Sequence, residues 1–448
     1  MENSSISMKT NVRRLGIYTA VYIMSFLLGE AGSPALSGLA LIGAAAFLYH
    51  MEYRRSSEAL NLRGLLALGL LGGEGIARFQ LSRLSTDWTL ETWLSFYLFY
   101  LIFDLTAEWV EDMHKSPSQK KSEICRAPSA QADTFFKWSL SILLLLSWGA
   151  FFFEAWKLGF VPLFTHDMPH AYSCFHVKGV HYVTTLAVLI PSISMLYIEE
   201  RRRHAKAPDL LSILGILLPL LLTVFMVSRF QFLFAVILAI FVTILSGRQY
   251  TWWQLLVLLI LMISAYVFIT IERAHSVEYL NSIFEMKNPT TPIFITQPYM
   301  YIANNYDNFN VMTQQLETHA HGLRMLYPFV TLTGLKFFIP ALATGFPLYV
   351  TKAELTTVTM LYDAWYDFGL FGIVLFAFVL GLVVGCVSWA HQKEQNPFAK
   401  LLYAQLAFYF TVSFFTTWFS NPATWFYLGV SFILYLAYAF YRKKECKK

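Results

Sequence analysis

Long apolar runs alternate with short polar segments along almost the whole chain. Most runs approach or exceed the roughly twenty residues that an α-helix needs to cross the hydrocarbon core of a bilayer. The pattern predicts an all-α polytopic membrane protein with about twelve transmembrane helices. The predicted spans lie near residues 15–30, 34–52, 62–82, 88–110, 135–157, 178–199, 208–228, 229–247, 252–271, 366–390, 400–419 and 424–441.

One connection, residues 272–365, is far longer and more polar than the others. It divides the chain into an N-terminal transmembrane region at 1–271 with about nine spans, the loop itself, and a C-terminal transmembrane region at 366–448 with about three. A long loop is usually functional or disordered, and the tyrosines and apolar runs of this one favour order. We expect interfacial or re-entrant helices within it, above all in the proline-containing run 327–350.

The composition agrees with a membrane protein. Hydrophobic residues make up 56% of the chain and charged residues 14%, and the mean hydropathy is +0.51. A soluble domain has about 25% charged residues. The formal net charge of +5 does not indicate nucleic-acid binding, because membrane proteins collect lysine and arginine in their cytoplasmic loops.

The distribution of basic residues predicts the orientation. If the N-terminus is cytoplasmic, 23 of the 33 lysine and arginine residues fall in cytoplasmic segments or at their edges. By the positive-inside rule, both termini are then cytoplasmic and the loop 272–365 is extracytoplasmic. We therefore expect a multi-pass protein of the cell (cytoplasmic) membrane. Seven of the eleven histidines map to the outer side in this register.

Two arginines stand at the outer ends of apolar runs. Arg229 follows Ser228 between the seventh and eighth predicted spans, and Arg273 closes the ninth. An arginine at this depth is costly unless it reaches water, a partner or an anion. Both can be interfacial residues that snorkel or form a salt bridge. The functional alternative is a phosphate clamp, because the planar guanidinium matches phosphate oxygens and stays charged.

Titratable residues are densest in the second half of the long loop. His319 and His321 precede Arg324, which is a third candidate for phosphate binding, and Asp363 and Asp367 lie four residues apart at a helix start. A histidine near its ordinary pKa can serve as a general base at neutral pH. We expect His319 or His321 to be the base, with Asp367 orienting it or the sugar and Asp363 contacting a sugar hydroxyl. Hydrogen-bonded surface histidines and helix-start aspartates are the structural alternatives.

No cofactor or metal is predicted. The two histidines at 319 and 321 have the spacing of a metal pair, but no further ligands stand at a suitable distance in the sequence. The four cysteines likewise show no metal-ligand spacing. A second outer loop, 157–181, is rich in histidine, and we expect His170 and Lys178 in it to contact sugar.

Three segments in a fixed order resemble the O-antigen polymerase-like family, the Wzy-type oligosaccharide repeat-unit polymerases. They are G-F-V-P-L-F at 159–164, V-S-R at 227–229, and Thr359 followed by D-F-G-L-F-G at 367–372 after a long outer loop rich in tyrosine and asparagine. The resemblance covers roughly residues 90–440. It also implies a likeness to the C-type membrane glycosyltransferases, which share the layout of many helices and a large extracytoplasmic loop.

The resemblance implies polymerisation of undecaprenyl-pyrophosphate-linked oligosaccharide repeat units on the outer face of the bacterial cytoplasmic membrane. The growing glycan would pass, with inversion, from its lipid carrier to a new repeat unit, with arginines on the pyrophosphate and no nucleotide sugar. The expected partners are the lipid-linked donor and acceptor and the bilayer. A chain-length regulator is a further candidate partner, and no nucleic acid is expected.

Three other functions remain open from the sequence. An O-antigen ligase would use the same donor with another acceptor. A transporter or flippase of lipid-linked sugars would show repeats with polar broken helices at the membrane midplane, and the chain shows no such repeat. A membrane scaffold without activity is the third. The concentration of polar residues on one side of the membrane favours an outward-facing enzyme.

Overall fold

The computed structural model describes residues 2–114, 129–165, 171–251, 253–254, 256–257, 260–262, 264, 277–343, 345–393 and 396–445. Within these residues every named element is helical, and the only β-bridge is an isolated one between Ser82 and Met286. The α-helices are Glu2–Glu30, Pro34–Ser56, Leu62–Leu66, Gly72–Ala77, Leu90–Met113, Ser129–Leu158, Ala171–Cys174, Val180–Thr184, Ile190–Arg203, Leu210–Phe225, Arg229–Leu245, Val277–Phe284, Ile293–Gln315, Tyr327–Leu332, Tyr362–Lys393, Pro397–Thr411 and Pro422–Glu445.

The chain divides into two compact units. Unit 1 comprises Met1–Pro117, Val277–Gln392 and Tyr409–Trp425, and unit 2 comprises Ser118–Ser276, Lys393–Phe408 and Phe426–Lys448. Aromatic side chains fill the interior of unit 1, where Phe96, Tyr306 and Phe309 are fully buried and pack together. The long loop and the first helices therefore belong to the same unit.

The prediction of a helical, multi-pass membrane protein is confirmed in its general form. By length and composition, four described helices can cross a membrane: Pro34–Ser56, Ala132–Leu158, Tyr362–His391 and Pro422–Lys443. A fifth span results if the pair Val180–Val188 and Ile190–Arg203, bent by 41°, counts as one. The total of twelve stays a prediction, and most of the ninth predicted span lies outside the described residues.

The third predicted span, 62–82, is helical from Leu62 to Ala77, with a π turn inside it. Helix Leu62–Leu66 runs into a π-helical turn at Ala67–Leu71 and then into helix Gly72–Ala77, and Arg78 follows as its C-terminal cap. Glycines permit close backbone packing here: a Cβ on Gly69 would lie 2.1 Å from the carbonyl oxygen of Phe410. The apolar composition of this run therefore reflects burial inside the protein, which hydropathy does not distinguish from burial in lipid.

Five ionisable residues inside the apolar runs of unit 1 form one cluster of ion pairs. Arg14 donates hydrogen bonds to Glu52, Asp104 and Glu108, and Arg63 donates to Asp104 through Nε at 2.8 Å and Nη2 at 2.7 Å. All five side chains are less than a tenth exposed. Because a lone charge in such surroundings is costly, each member of the cluster needs its partners, and the cluster joins four helices: Glu2–Glu30, Pro34–Ser56, Leu62–Leu66 and Leu90–Met113.

The 272–365 loop is ordered where the structure describes it. Its longest helix, Ile293–Gln315, buries the polar run Asn304–Asn310. Asn308 Nδ2 donates to the carbonyls of Leu355 and Thr357, both at 2.8 Å. One oxygen of Asp307 accepts three hydrogen bonds of 3.0 Å from Thr86 and Trp88. Since buried polar groups need such partners, this helix fixes the loop to the start of helix Leu90–Met113 and to residues 351–357.

Asp307→Asn is expected to stabilise the protein at neutral pH. Burial raises the pKa of Asp307 to about 6, so the folded state holds this proton more tightly than the unfolded chain, whose carboxyl titrates near 3.9. The contribution of Asp307 to the free energy of unfolding is therefore most favourable below pH 4 and is lost as the pH rises through 6, by at most about 3 kcal/mol. Asparagine keeps the accepting oxygen and cannot ionise.

Thermal unfolding of the detergent-solubilised protein between pH 4 and pH 8 measures this effect. The midpoint of Asp307→Asn should exceed that of the wild type at pH 8, and the difference should shrink toward pH 4. The exposed neighbour Asp87 provides the control, because Asp87→Asn should shift the midpoint little at either pH. A lower midpoint for Asp307→Asn at pH 8 would show that the charged carboxylate stabilises the fold.

Candidate functional site

The D-F-G sequence at 367–369 interrupts the helix Tyr362–Lys393. Phe368 and Gly369 have non-helical backbone angles, with φ/ψ of −144°/19° and 59°/−141°. Glycine is the residue that adopts a positive φ without a steric penalty. A Cβ on Gly369 would also lie 3.3 Å from Cε1 of His319. The kink therefore separates the turn 362–367 from the apolar helix that follows and brings His319 against the backbone at Gly369.

The histidine-rich segment 319–326 is held on this kink by its backbone. Ala320 N donates to Tyr366 O and His321 N donates to Asp367 O, each at 3.1 Å. The fully buried carboxylate of Asp367 accepts from the backbone nitrogens of Arg324 at 3.1 Å and Met325 at 2.8 Å. His321 has a φ of 50°, which is uncommon for a residue with a side chain and frequent at functional sites.

Arg324 is fixed by a carboxylate and by aromatic rings. Its Nε donates to Asp363, whose second oxygen accepts from Ser420 Oγ. The guanidinium carbon lies 4.5 Å from the ring centroid of Tyr366 and 5.6 Å from that of Tyr362. The two terminal nitrogens of Arg324 donate no hydrogen bond to any residue in the described part of the chain. A fixed guanidinium with two available donors suits a planar or multidentate anion.

His319 has the geometry of a base whose tautomer is fixed. Its Nδ1 lies 3.2 Å from the carbonyl oxygen of Tyr366, and a carbonyl oxygen only accepts, so Nδ1 carries the proton. Nε2 of the neutral ring then bears the lone pair, and the side chain is exposed. His321 is also exposed, and its ring centroid lies 6.2 Å from that of Phe368. Tyr366 thus contacts both His319, through its carbonyl, and Arg324, through its ring.

Five of the residues singled out from the sequence meet in unit 1, namely His319, His321, Arg324, Asp363 and Asp367. The two aspartates are buried and bonded to protein groups. Asp363 contacts Arg324 and Ser420, and Asp367 contacts loop backbone. Among the described residues, no three His, Cys, Asp or Glu side chains converge as metal ligands.

The other candidates lie elsewhere. Arg229 belongs to unit 2 and opens the helix Arg229–Leu245. Val227, two residues earlier, has a φ of 53°, a genuine outlier for a β-branched residue. Lys178 is exposed in unit 2. Arg273 and His170 lie outside the described residues.

Sequence reasoning missed Ser420 and the part played by Tyr366. Ser420 lies in the 3₁₀ turn Trp418–Ser420, far along the chain from Asp363, and no motif connects them. The sequence did contain a signal for Tyr366. It stands four residues after Tyr362 on the helix that carries the two aspartates, and residues with this spacing share a helix face.

Comparison with known proteins identifies the family. A family model for O-antigen polymerases matches residues 21–416. Neither a curated protein nor a solved structure matches the chain. The family match confirms the resemblance carried by the segments at 159–164, 227–229 and 367–372 and extends it toward the N-terminus. Because the match covers most of the sequence, the chain belongs to the O-antigen polymerase family.

Proposed function

We propose that this protein polymerises undecaprenyl-pyrophosphate-linked oligosaccharide repeat units on the outer face of the cytoplasmic membrane. As a membrane glycosyltransferase, it transfers the growing glycan from its lipid pyrophosphate to the hydroxyl of a new repeat unit. The observation that carries the proposal is the cluster around Tyr366, where Arg324 presents two available donors and the exposed His319 has its Nδ1 turned to the Tyr366 carbonyl. This transfer needs a cation at the leaving pyrophosphate and a base at the acceptor hydroxyl, on opposite sides of the anomeric carbon.

In the proposed reaction, Arg324 stabilises the leaving group. The bond between the anomeric carbon and the pyrophosphate oxygen breaks, and the electron pair leaves with the pyrophosphate. The departing group is an anion, so a cation that is already positioned lowers the barrier without proton transfer to the leaving oxygen. The ion pair with Asp363 and the ring of Tyr366 hold the guanidinium in place. Asp363 is then a positioning residue, in place of the sugar contact expected from the sequence.

His319 takes the proton of the acceptor hydroxyl. The hydroxyl oxygen attacks the anomeric carbon from the face opposite the pyrophosphate, and its proton passes to Nε2 of His319. A single displacement of this kind inverts an α-linked donor to a β-linked product and needs no enzyme nucleophile. Asp367, which binds the backbone of the 319–326 segment, positions both His319 and Arg324.

The remaining candidates are assigned to substrate contacts. Arg229 and Arg273 are proposed as additional pyrophosphate ligands, His321 as a secondary proton acceptor, and His170 as a sugar contact. The division into a transmembrane region at 1–271, a catalytic outer loop at 272–365 and a transmembrane region at 366–448 belongs to the same proposal.

The experiment is an in vitro assay with the purified full-length protein and a chemically defined lipid-linked repeat unit, in EDTA. The proposal predicts a ladder of products that differ by one repeat unit each. A ligase would transfer glycan only to an added foreign acceptor, and a flippase would form no new glycosidic bond. Either result would refute polymerisation. A ladder that disappears in EDTA and returns with a divalent cation would refute transfer by arginine and histidine alone.

The orientation is tested by cysteine labelling in a variant without the four native cysteines. With both termini cytoplasmic, a membrane-impermeant maleimide applied to intact spheroplasts should label Glu285→Cys and spare Ser118→Cys. Glu285 is partly exposed and pairs with Lys352 at 2.7 Å. Permeabilised cells, in which both positions should react, provide the control. Labelling of Ser118→Cys alone in intact spheroplasts would show that the orientation is the opposite of the predicted one.

A further inference from the structure

An apolar groove of about 380 Å³ lies in unit 2 between the helices Ser129–Leu158 and Val180–Thr184. Its lining includes Leu145, Leu146, Gly149, Ala150, Val180 and Val183. Leu145 is 76% exposed and Leu146 is 47% exposed, and their helix is one of the four that can span a membrane. The groove therefore opens sideways toward lipid, where a hydrocarbon chain can enter it.

Glycines keep the groove open. A Cβ on Gly149 or on Gly179, which also lines the groove, would meet no atom within 4 Å. Gly179 has a φ of 83°, a conformation that favours glycine for the backbone as well as for space. A methyl group at Gly149 would therefore displace no neighbour, and a longer side chain would begin in open space.

A polar cluster lies one helical turn beyond the lining residue Ala150. Glu154 stands four residues after Ala150, on the same face of the helix, and is fully buried. Its carboxylate accepts hydrogen bonds from Val177 N at 2.9 Å and from Thr184 Oγ1 at 2.7 Å, and it lies 3.3 Å from Nδ1 of His181. The carboxylate thus orients the imidazole by Nδ1 and leaves Nε2 for another partner.

Basic groups lie next to lining residues of the groove in the sequence. The exposed Lys178 immediately precedes Gly179 of the groove wall, and His181 follows the lining residue Val180. Nδ1 of His181 lies 3.3 Å from Glu154, so Nε2, on the other side of the ring, is directed away from that carboxylate and can take a second hydrogen-bond partner. An apolar groove whose lining residues Gly179 and Val180 are flanked in sequence by a lysine and an oriented histidine complements an amphiphile with a phosphate headgroup.

We infer that this groove binds the polyprenyl pyrophosphate carrier of the acceptor, with the first isoprene units between the two helices and the pyrophosphate at Lys178 and His181. The assignment to the acceptor rests on the proposed function, in which both substrates are lipid-linked and Arg324 binds the donor pyrophosphate. Bilayer lipid is as apolar as the groove. The groove therefore sets the position of the chain, and the basic groups provide most of the affinity.

Photocrosslinking tests this position. The probe is a polyprenyl pyrophosphate with a diazirine on its first isoprene units, added to the full-length protein in nanodiscs and followed by peptide mapping. Label is expected in the peptides that contain 145–150 and 179–183. Gly149→Leu should lower that label by about fivefold or more. Gly429→Leu, at an exposed helical glycine of unit 2 with equally open surroundings, should leave it unchanged.

A second variant does not depend on groove packing. Lys178→Gln changes an exposed side chain and should lower the label by roughly threefold to tenfold through loss of one charge-assisted contact. Unlabelled polyprenyl pyrophosphate should compete, whereas the same excess of a diacyl phosphatidate or of inorganic pyrophosphate should not. Equal competition by phosphatidate, or unchanged label in both Gly149→Leu and Lys178→Gln, would overturn the inference.

Crosslinking requires no turnover, so this inference and the proposed function can fail separately. Label in the groove without any glycan ladder would refute the polymerase activity, and the binding of the carrier in the groove would still be supported. A ladder formed by the wild type, with label only outside the groove, would refute carrier binding in the groove, and the polymerase activity would still be supported.

Discussion

Arg324→Ala is expected to lower the rate of glycan transfer by about a hundredfold or more, because loss of one preorganised charge at a developing anion costs about 10²–10³ in rate. Arg324→Lys should also be strongly impaired. Lysine cannot offer two parallel donors, and it loses the Nε contact with Asp363. The rate is measured with purified protein at saturating lipid-linked repeat unit, after size-exclusion chromatography confirms that each variant is monodisperse.

Arg83 provides the matched control for Arg324. It belongs to the same unit and its side chain is exposed, so Arg83→Ala should retain the wild-type rate within about twofold. Full activity in Arg324→Ala at a normal protein level would remove this residue from the reaction. Equal losses in Arg324→Ala and Arg83→Ala would indicate a general electrostatic effect of the surface.

His319→Ala is expected to lower the transfer rate by about 10²–10⁴, the usual contribution of a general base. His321→Ala should lower it less. The structure fixes a proton on Nδ1 of His319 through Tyr366 O at 3.2 Å, and no such contact to the His321 ring exists among the described residues. Single-turnover kinetics with a preformed enzyme–donor complex separate this chemical step from binding.

His114 provides the matched control for His319. It is another histidine of unit 1 whose Nδ1 contacts a backbone carbonyl, Val110 O, at 2.7 Å. His114→Ala should leave the single-turnover rate unchanged within about twofold. If His321→Ala proves more damaging than His319→Ala, the base is His321, and the contact with Tyr366 serves only to hold the loop.

The sequence predicted the membrane class and singled out the five residues of the cluster by their types and spacing, but their contacts with one another could not be read from local patterns. An apolar run indicates that a segment is buried, whether in protein or in lipid. The four-residue spacing of Asp363 and Asp367 places them on one helix face. This spacing does not show which residues contact either aspartate. Asp363 meets Ser420 and Arg324, and Asp367 meets the backbone of residues 324 and 325. Such partners depend on the packing of distant segments.

Two other segments, 62–82 and 304–310, show where hydropathy along the sequence does not predict the surroundings of a segment. The residues of 62–77 are mostly buried against protein, and the helix that they form contains a π turn and closely packed glycines that hydropathy does not predict. Conversely, the run 304–310 is strongly polar and fully enclosed, since its asparagines and Asp307 satisfy backbone groups of neighbouring segments. Polarity along the sequence predicts exposure only when no such partners are available.

The most direct test of the central claim is to count, in EDTA, the polyprenyl pyrophosphate released for each glycosidic bond formed by the purified protein. Transfer from a lipid pyrophosphate held by Arg324 predicts one carrier released per new bond, and predicts that release and bond formation decline together in Arg324→Ala. Bond formation without release of the carrier, or an undiminished one-to-one yield in Arg324→Ala, would contradict it.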